Sequence, residues 1–154
     1  MQKQTSGYSD TPLAKALGFK AEIMATNETH GTFDDILATA KPELRVVCEA
    51  LRRQITSLHG DLVEVVWPNQ RIASFGVGPK KMTEHYAYIG VQNSHVNLGF
   101  YHGASLPDPQ GILEGTGKKL RHVKICDISS SNSPPVVALL HAAIADRKRH
   151  ASKA

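Results

Sequence analysis

The stretch Leu98–Ile125, LGFYHGASLPDPQGILEGTGKKLRHVKI, decides the fold of this chain. It begins inside a strand, because apolar residues alternate with others from Val96 to Phe100, the period of two of a strand with one buried face. Its middle, Gly103–Gly117, is too rich in glycine and proline for a regular helix or ladder strand. Its end, Leu120–Cys126, returns to strand. The stretch predicts two neighbouring strands joined by a loop, and loops of this length in compact domains are often functional.

Two amphipathic helices are predicted on either side of the strands. The first lies between Pro42, which suits a first helical turn, and Gly60, which ends the helix. Its apolar stripe follows spacings of three and four: Leu44, Cys48, Leu51, Ile55 and Leu58. The second helix begins near Pro134, and its apolar face consists of Val136, Leu139, Leu140, Ala143 and Ile144. Both helices therefore have one side to bury.

Further strand candidates precede Val96 and are separated by turn signals: Leu62–Trp67, Arg71–Val77 and His85–Val91. Neighbouring strands joined by such short turns pair antiparallel. The order of helix, strands and helix predicts an α+β fold, with an antiparallel sheet of about five strands and helices packed on one face. The opposite face of the sheet is left free to hold a ligand.

The chain is predicted to form one domain with two short appendages. Residues 1–31 form an N-terminal extension, partly disordered or loosely packed, with a short strand candidate at Ala21–Thr26. Residues 32–150 form the α+β domain, and residues 151–154 form a basic tail. The apolar runs are too short to span a bilayer and the start of the chain lacks an apolar secretory segment, so we expect a cytoplasmic protein. Its two cysteines are expected to be buried free thiols.

Positive charge is concentrated in two places, although the net charge is only +4. One cluster consists of Lys118, Lys119, Arg121 and Lys124, and the other consists of Arg147, Lys148, Arg149 and Lys153. Such clusters attract phosphates and polyanions, and they are also typical of an ordinary solvated surface. The run Gly115–Lys119 lacks the glycine spacing and the following helix of a nucleotide phosphate loop. It is either a weaker anion site or a turn into the next strand.

We predict a ligand site on the free sheet face, roofed by the Gly103–Gly117 loop. Its predicted residues are Glu64, Trp67, Tyr101, His102, Glu114, Lys118, Lys119, Arg121 and His122. The strand aromatics that could line a pocket there are Trp67, Tyr86, Tyr88, Phe100 and Tyr101. A carboxyl beside an aromatic, such as Glu64, can have a raised pKa. Histidines such as His102 and His122 could ligate a transition metal beside Glu64 or Glu114, although no metal-binding spacing is present. The metal therefore stays unknown.

No nucleophile–base pair and no cofactor motif is readable in the sequence, so we expect no cofactor and the sequence does not define an enzyme. We expect a small anionic or metal ligand on the free sheet face. The alternative is an interaction module that contacts nucleic acid or an acidic protein through the basic rim and the tail. The oligomeric state is left open.

Three segments and the closing helix carry a family resemblance: TFDDILATAKPELRVVCEALRRQI (Thr32–Ile55), EVVWPNQRIASFG (Glu64–Gly76) and HVNLGFYHGASLPDPQGILEGTGKKLRHVKI (His95–Ile125). They resemble the YdhG-like family of small bacterial proteins. The resemblance covers roughly residues 32–148, and LPDPQGILEGTGKKLRHVKI is its most specific part.

This resemblance implies a frataxin-like sandwich of helices on an antiparallel sheet and supplies no catalytic motif. It also adds a third function, because at least one relative has been proposed as an intracellular iron chaperone. Frataxin-type iron binding is attributed to an acidic ridge on the first helix and first strand. The corresponding carboxylates here are interrupted by Arg45, Arg52 and Arg53. Because iron needs convergent ligands, kinship of fold alone does not establish iron binding.

Overall fold

The computed structural model describes residues 25–27 and 31–152. The helices, numbered in chain order, are α1 (Phe33–Ala38), α2 (Pro42–Leu58), α3 (Lys81–Glu84), α4 (Ile128–Ser131) and α5 (Pro134–Ser152). The strands are β1 (Ala25–Asn27), β2 (Val63–Trp67), β3 (Ile72–Gly76), β4 (His85–Val91), β5 (Val96–Phe100) and β6 (Arg121–Ile125). Apart from β1 and Gly31, the predicted N-terminal extension lies outside the described residues, and so do residues 153–154 of the predicted tail.

The strands form one six-stranded sheet in the order in which they follow along the chain. Strands β2 to β6 pair antiparallel, each with the next. Strand β1 is parallel to β2, because α1 and α2 lie between the two strands and provide the crossover that a parallel pair requires. The predicted fold class, an antiparallel sheet with helices, is confirmed.

The hydrophobic core lies between the helices and one face of the sheet. Strand side chains on this helix-covered face alternate along the register: Val66, Ala73, Phe75, Ala87, Ile89, Leu98, Phe100, Val123 and Ile125. The apolar stripe of α2 packs on them through Leu44, Cys48, Leu51 and Ile55, and the predicted face of α5 is buried as well. The two helical stripes read from the sequence are therefore confirmed. None of the described helices is long and apolar enough to cross a membrane.

One buried ion pair joins α2 to the sheet. The Arg52 guanidinium donates from Nε to Glu64 Oε2 over 2.7 Å and from Nη2 to Oε1 over 2.8 Å. Both side chains are buried, at 3% and 0% exposed. The guanidinium carbon also lies 4.4 Å from the centroid of the Phe33 ring. Two parallel hydrogen bonds satisfy a carboxylate that faces the core, where an unpaired charge would be costly.

The Gly103–Gly117 loop does not roof the free sheet face, so this prediction was wrong. Its apolar residues Leu106, Ile112 and Leu113 pack against the core instead. Glu114 then pairs with β6, exchanging backbone hydrogen bonds with His122 over 2.8 and 2.9 Å. The loop therefore closes the side of the core along β6, where its apolar residues pack against the buried cluster.

The two cysteines differ in their surroundings. Cys48 is a buried free thiol, and burial raises its pKa to about 12. Cys126 is free and exposed. The prediction of a buried thiol was therefore wrong for Cys126, which follows the last residue of β6 and turns away from the core.

Replacing either partner of the buried ion pair should strongly destabilise the fold. We expect Arg52→Met or Glu64→Leu alone to lower the free energy of unfolding by about 3–5 kcal/mol, because each change leaves one charge buried and unpaired. The double variant, Arg52→Met with Glu64→Leu, should lower the free energy of unfolding less than either single change. Urea denaturation followed by circular dichroism measures all three. Glu43→Gln, an exposed change in the first turn of α2, is the control and should shift stability by at most about 0.5 kcal/mol. A double variant as unstable as the sum of the two single changes would contradict this account.

Candidate functional site

The free face of the sheet carries a group of polar and aromatic side chains, which we call the open-face cluster: Trp67, Ser74, Lys81, His85, Tyr88 and Tyr101. The register brings most of them together. Ser74 of β3 lies opposite Tyr88 of β4, and Trp67 of β2 lies opposite Ile72. Side chains that pair across neighbouring strands share one face, which here is the face turned away from α2 and α5.

A β-bulge places His85 in the cluster. The pairing of β3 with β4 shifts between Phe75 and Gly76, so that Phe75 lies opposite Ala87 and Gly76 opposite His85. The extra residue, Tyr86, then faces the helices, and its hydroxyl lies 2.8 Å from Nδ1 of His59. A bulge redirects side chains in this way because it breaks the alternation by one residue. Gly76 makes room, since a Cβ there would lie 2.3 Å from His85 Cδ2.

Three buried polar groups form a chain of hydrogen bonds in the cluster. The hydroxyls of Tyr101 and Ser74 are 2.9 Å apart, and Ser74 Oγ lies 2.5 Å from His85 Nδ1. Ser74 and His85 are fully buried. The other ring nitrogen of His85, Nε2, has no hydrogen-bond partner among the described residues. Because this nitrogen is buried with the rest of the ring, it is not exposed to a ligand in this arrangement.

The hydrogen-bond chain is uncharged at neutral pH. Burial lowers the pKa of His85 to about 4; the Gly78 backbone and Glu84 oppose this effect, and Lys81 adds to it. Burial also raises the pKa of Tyr101 to about 12, with the Ser74 hydrogen bond acting in the opposite direction. The charge of the cluster therefore comes from Lys81 alone.

Lys81 places an ammonium group over two aromatic rings. Its Nζ lies 4.8 Å from the centroid of Trp67 and 5.9 Å from that of Tyr101. The side chain is exposed, and among the described residues no carboxylate forms an ion pair with it. The carboxylate of nearby Glu84 accepts a hydrogen bond from the backbone N–H of Lys80 over 2.8 Å. Lys81 is therefore a cation that aromatic faces hold in position and that can still receive an anion.

Tyr88 lies flat on the sheet because glycine stands beneath it. A Cβ at Gly99 would lie 2.0 and 2.1 Å from ring atoms of Tyr88, and one at Gly90 would lie 3.3 Å away. The ring centroid is 5.4 Å from that of Tyr101, and burial raises the pKa of Tyr88. The two glycines thus create the surface against which the aromatic rings of the cluster pack.

The structure brings together only two of the predicted site residues in this cluster, Trp67 and Tyr101. Glu64 is three residues before Trp67 on the same strand, so it faces the opposite side and pairs with Arg52. The structure therefore does not join Glu64 to an aromatic ligand pocket. Of the other strand aromatics, Tyr88 lies on the free face, but Tyr86 and Phe100 face the core and do not line a pocket there.

The remaining predicted residues lie along β6 and its connection to β5. Lys118 and Lys119 are exposed, and Glu114 Oε1 lies 3.7 Å from Lys124 Nζ. The Arg121 guanidinium donates to the backbone carbonyls of Gly117 and Leu120 over 2.5 and 2.7 Å, so its charge stabilises the turn into β6. His122 pairs with Glu114 through the backbone. These residues form an edge of the sheet rather than the rim of the open-face cluster.

His102 is separated from both groups. It is half-buried beside α5, where it packs with Tyr86 and Arg147 around a gap too small to hold a water molecule. Burial lowers its pKa, and the charge of Arg147 acts in the same direction. Among the described residues, no three His, Cys, Asp or Glu side chains come close enough together to hold a metal ion.

Sequence reasoning did not find Ser74 or Lys81. Ser74 lies between apolar residues in a strand, and its position opposite Tyr88 is visible only once the register is known. Lys81 lies in the connection before His85, where nothing in the spacing points to an aromatic partner. The available signal was Trp67, because a tryptophan at a strand end followed by Pro68 often marks a partly open position.

Comparisons of the chain with protein-family models, with curated proteins and with solved structures find no match.

Substituting Gly99 should disturb the packing of Tyr88. Gly99→Ala places a methyl group within the present position of the ring, so we expect a loss of about 1–3 kcal/mol in the free energy of unfolding. Chemical denaturation measures the loss. Gly60→Ala is the matched control, since nothing lies within 4 Å of its added Cβ. In a double-mutant cycle, Gly99→Ala should hardly change the free energy of unfolding when Tyr88 is already replaced by alanine. If Gly99→Ala costs as much in the Tyr88→Ala background as in the original chain, the Tyr88 ring is not the obstacle.

Protonation of His85 should destabilise the protein in acid. The pKa of His85 is about 4 in the folded chain and 6.5 in the reference state, so between these values the unfolded chain binds a proton that the folded chain does not. Stability should therefore fall as pH drops from 6.5 to 4, by about 3 kcal/mol for this group. The free energy of unfolding measured across this range should vary less steeply in His85→Asn, which can still hydrogen-bond Ser74. His141→Asn, an exposed change on α5, should keep the original slope. If the free energy of unfolding of His85→Asn and His141→Asn depends equally steeply on pH, His85 is not the group that destabilises the protein in acid.

Proposed function

We propose that this chain binds a small organic anion at the open-face cluster, with the anionic group on Lys81 and a planar part against Trp67. The observation that carries the proposal is the Lys81 ammonium group, which has two aromatic neighbours and no carboxylate partner among the described residues. An anion of this kind would complete the ion pair that Lys81 lacks.

The surroundings of Trp67 support a ligand of small size. A hollow of about 200 Å³ lies beside the ring, lined by Trp67 and residues 68–70. Asn69 and Gln70 are exposed there and offer amide groups, while the indole face offers an apolar surface. Such a mixture of one apolar wall and a few polar groups is typical of small-molecule sites, and this hollow is smaller than their usual volume of about 300–1,000 Å³.

The hydrogen-bond chain behind Lys81 supports a role in binding rather than in catalysis. Ser74 and His85 lie within hydrogen-bond distance of each other, which resembles a nucleophile with its base. Both are fully buried, however, so the Ser74 hydroxyl cannot approach a substrate in this arrangement. The chain instead fixes Tyr101, which is one of the two rings beneath Lys81.

We further propose that the protein works in the cytoplasm and is of the YdhG-like type. The order of helices and strands and the segments quoted above support this proposal. An iron chaperone is not favoured by the described residues, because hard cations require several converging oxygen ligands.

Ligand binding can be followed directly because Trp67 is the only tryptophan of the chain. Titration with inorganic phosphate, benzoate and AMP should change its fluorescence saturably for at least one of these anions. Lys81→Met should weaken that binding about tenfold or more, because a charge-assisted interaction contributes about 1.5–3 kcal/mol.

Lys80→Met is the matched control for this experiment. This variant removes a neighbouring exposed charge and retains the backbone N–H that donates a hydrogen bond to the Glu84 carboxylate. We expect it to change the dissociation constant less than about twofold. If the two variants lose affinity equally, the binding is a diffuse charge effect and the assignment to Lys81 is wrong. If none of the three anions changes the fluorescence, the proposed function fails.

A further inference from the structure

We propose that the outer edge of β6 is a docking site for an extended peptide segment of a partner protein, which adds to the sheet as a strand. The segment would carry an acidic residue opposite Lys124 and an apolar residue on each side of it. This site is separate from the open-face cluster, and the proposal does not depend on the anion bound there.

The backbone of Lys124 is available for pairing. Its neighbour two residues earlier, His122, directs its N–H and C=O outward to Glu114. In an antiparallel strand, the backbone N–H and C=O of one residue point to the same side of the strand, and those of the residue two positions later point to that side too. The N–H and C=O of Lys124 therefore point outward as well. No backbone partner meets them among the described residues.

The loop is held away from this part of the edge. Continued pairing after Glu114 would place Ile112 opposite Lys124. The N–H groups of Ile112 and Leu113 instead donate to the Asp108 carboxylate, each over 3.0 Å. The chain therefore leaves the ladder after a single bridge, and the unpaired edge of β6 is of the kind to which extended peptides add.

A groove lies next to the unpaired edge on the helix-covered side. It measures about 390 Å³. Its apolar lining comes from Ile112, Val123, Ile125 and Val136, and its polar lining consists of Glu114, Lys124, Ser130 and Ser133. The neighbours of a residue paired with Lys124 would point into this groove, because successive strand side chains alternate between faces. The groove therefore favours an apolar peptide residue next to the one that pairs with Lys124.

Two exposed apolar side chains extend the same edge. Leu120 precedes β6 and Ile128 follows it, and each is 43% exposed. Ile128 begins α4, which also carries Ser130 of the groove lining, and Leu120 lies beside Gly117 at the turn into β6. Exposed apolar side chains next to an apolar groove are typical of an interaction surface.

Charge determines which occupant fits this edge. A second copy paired antiparallel through Lys124 would bring this residue against another Lys124, and like charges in opposite positions destabilise a strand pair. A peptide carboxylate opposite Lys124 stabilises it instead. The present contact of Lys124 with Glu114, 3.7 Å long with both side chains 51% exposed, is a surface pair that gives way at little cost. The segment that fits this edge therefore has an acidic residue opposite Lys124, with one apolar residue before it and one after it.

A fluorescein-labelled peptide Gly-Ser-Ile-Asp-Ile-Ser-Gly tests the proposal by fluorescence anisotropy with the full chain. We expect saturable binding below about 1 mM, which corresponds to about 4 kcal/mol. The same peptide with Lys in place of Asp should bind at least tenfold more weakly. A peptide methylated on the backbone nitrogen of Asp should also bind at least tenfold more weakly, because it cannot donate to the edge.

Variants of the chain separate backbone pairing from charge. Lys124→Pro removes the outward N–H and should weaken binding at least tenfold, whereas Lys124→Ala retains it and should weaken binding about threefold. Ser130→Phe fills the groove from α4 while keeping the backbone N–H that donates to Asp127, and it should weaken binding at least tenfold. If Lys124→Pro does not fold, Ser130→Phe and the methylated peptide still decide the question.

Hydrogen exchange supplies an independent measurement. Bound peptide should slow exchange of the Lys124 amide at least tenfold, while the amides of Val123 and Ile125, which face β5, should change little. The absence of saturable binding, equal binding to Ser130→Phe, or equal binding of the methylated peptide would each overturn the proposal. None of these outcomes bears on the Trp67 fluorescence titration, so the two proposals fail separately.

Discussion

The alternation of side chains across the sheet determines where each candidate residue lies, and a single bulge breaks it. In β2 to β6 successive residues face the helices or the free side in turn. The shift between Phe75 and Gly76 moves Tyr86 into the core and His85 to the free side. The hydrogen-bond chain through Ser74 exists because of this shift. With regular pairing His85 would face α2 and α5, and Ser74 would keep only Tyr101 as a hydrogen-bond partner.

The fold was predictable because it depends on patterns that the sequence displays directly. The helical stripes of α2 and α5 follow regular spacings, and the core residues that they predict are buried. The strand candidates were readable from their apolar and β-branched residues and from the turn signals between them, although polar and apolar residues do not alternate cleanly in β6. The pairing of β1 with β2 was not readable, because a strand of three residues carries too short a pattern.

The candidate site was predictable only in part, for identifiable physical reasons. Trp67 and Tyr101 were found because large aromatics on strands are conspicuous. Glu64 was placed with Trp67 although their separation along one strand sets them on opposite faces, which strand periodicity alone could have shown. Charge was a poor guide, because Lys118 and Lys119 are solvated and the guanidinium of Arg121 binds local carbonyls. The informative cation, Lys81, lies in a short charged connection, and its contact with Trp67 follows from the fold and not from its spacing along the chain.

The parallel attachment of β1 has a consequence for the order in which the chain folds. Strands β2 to β5 meet neighbours that are close in sequence, so little chain entropy opposes their pairing. Strand β1 reaches β2 only across the two helices of the crossover, and it contributes three residues to the ladder. We therefore expect β1 to join the sheet after β2 to β5 have paired, and to separate from it more readily than they separate from each other.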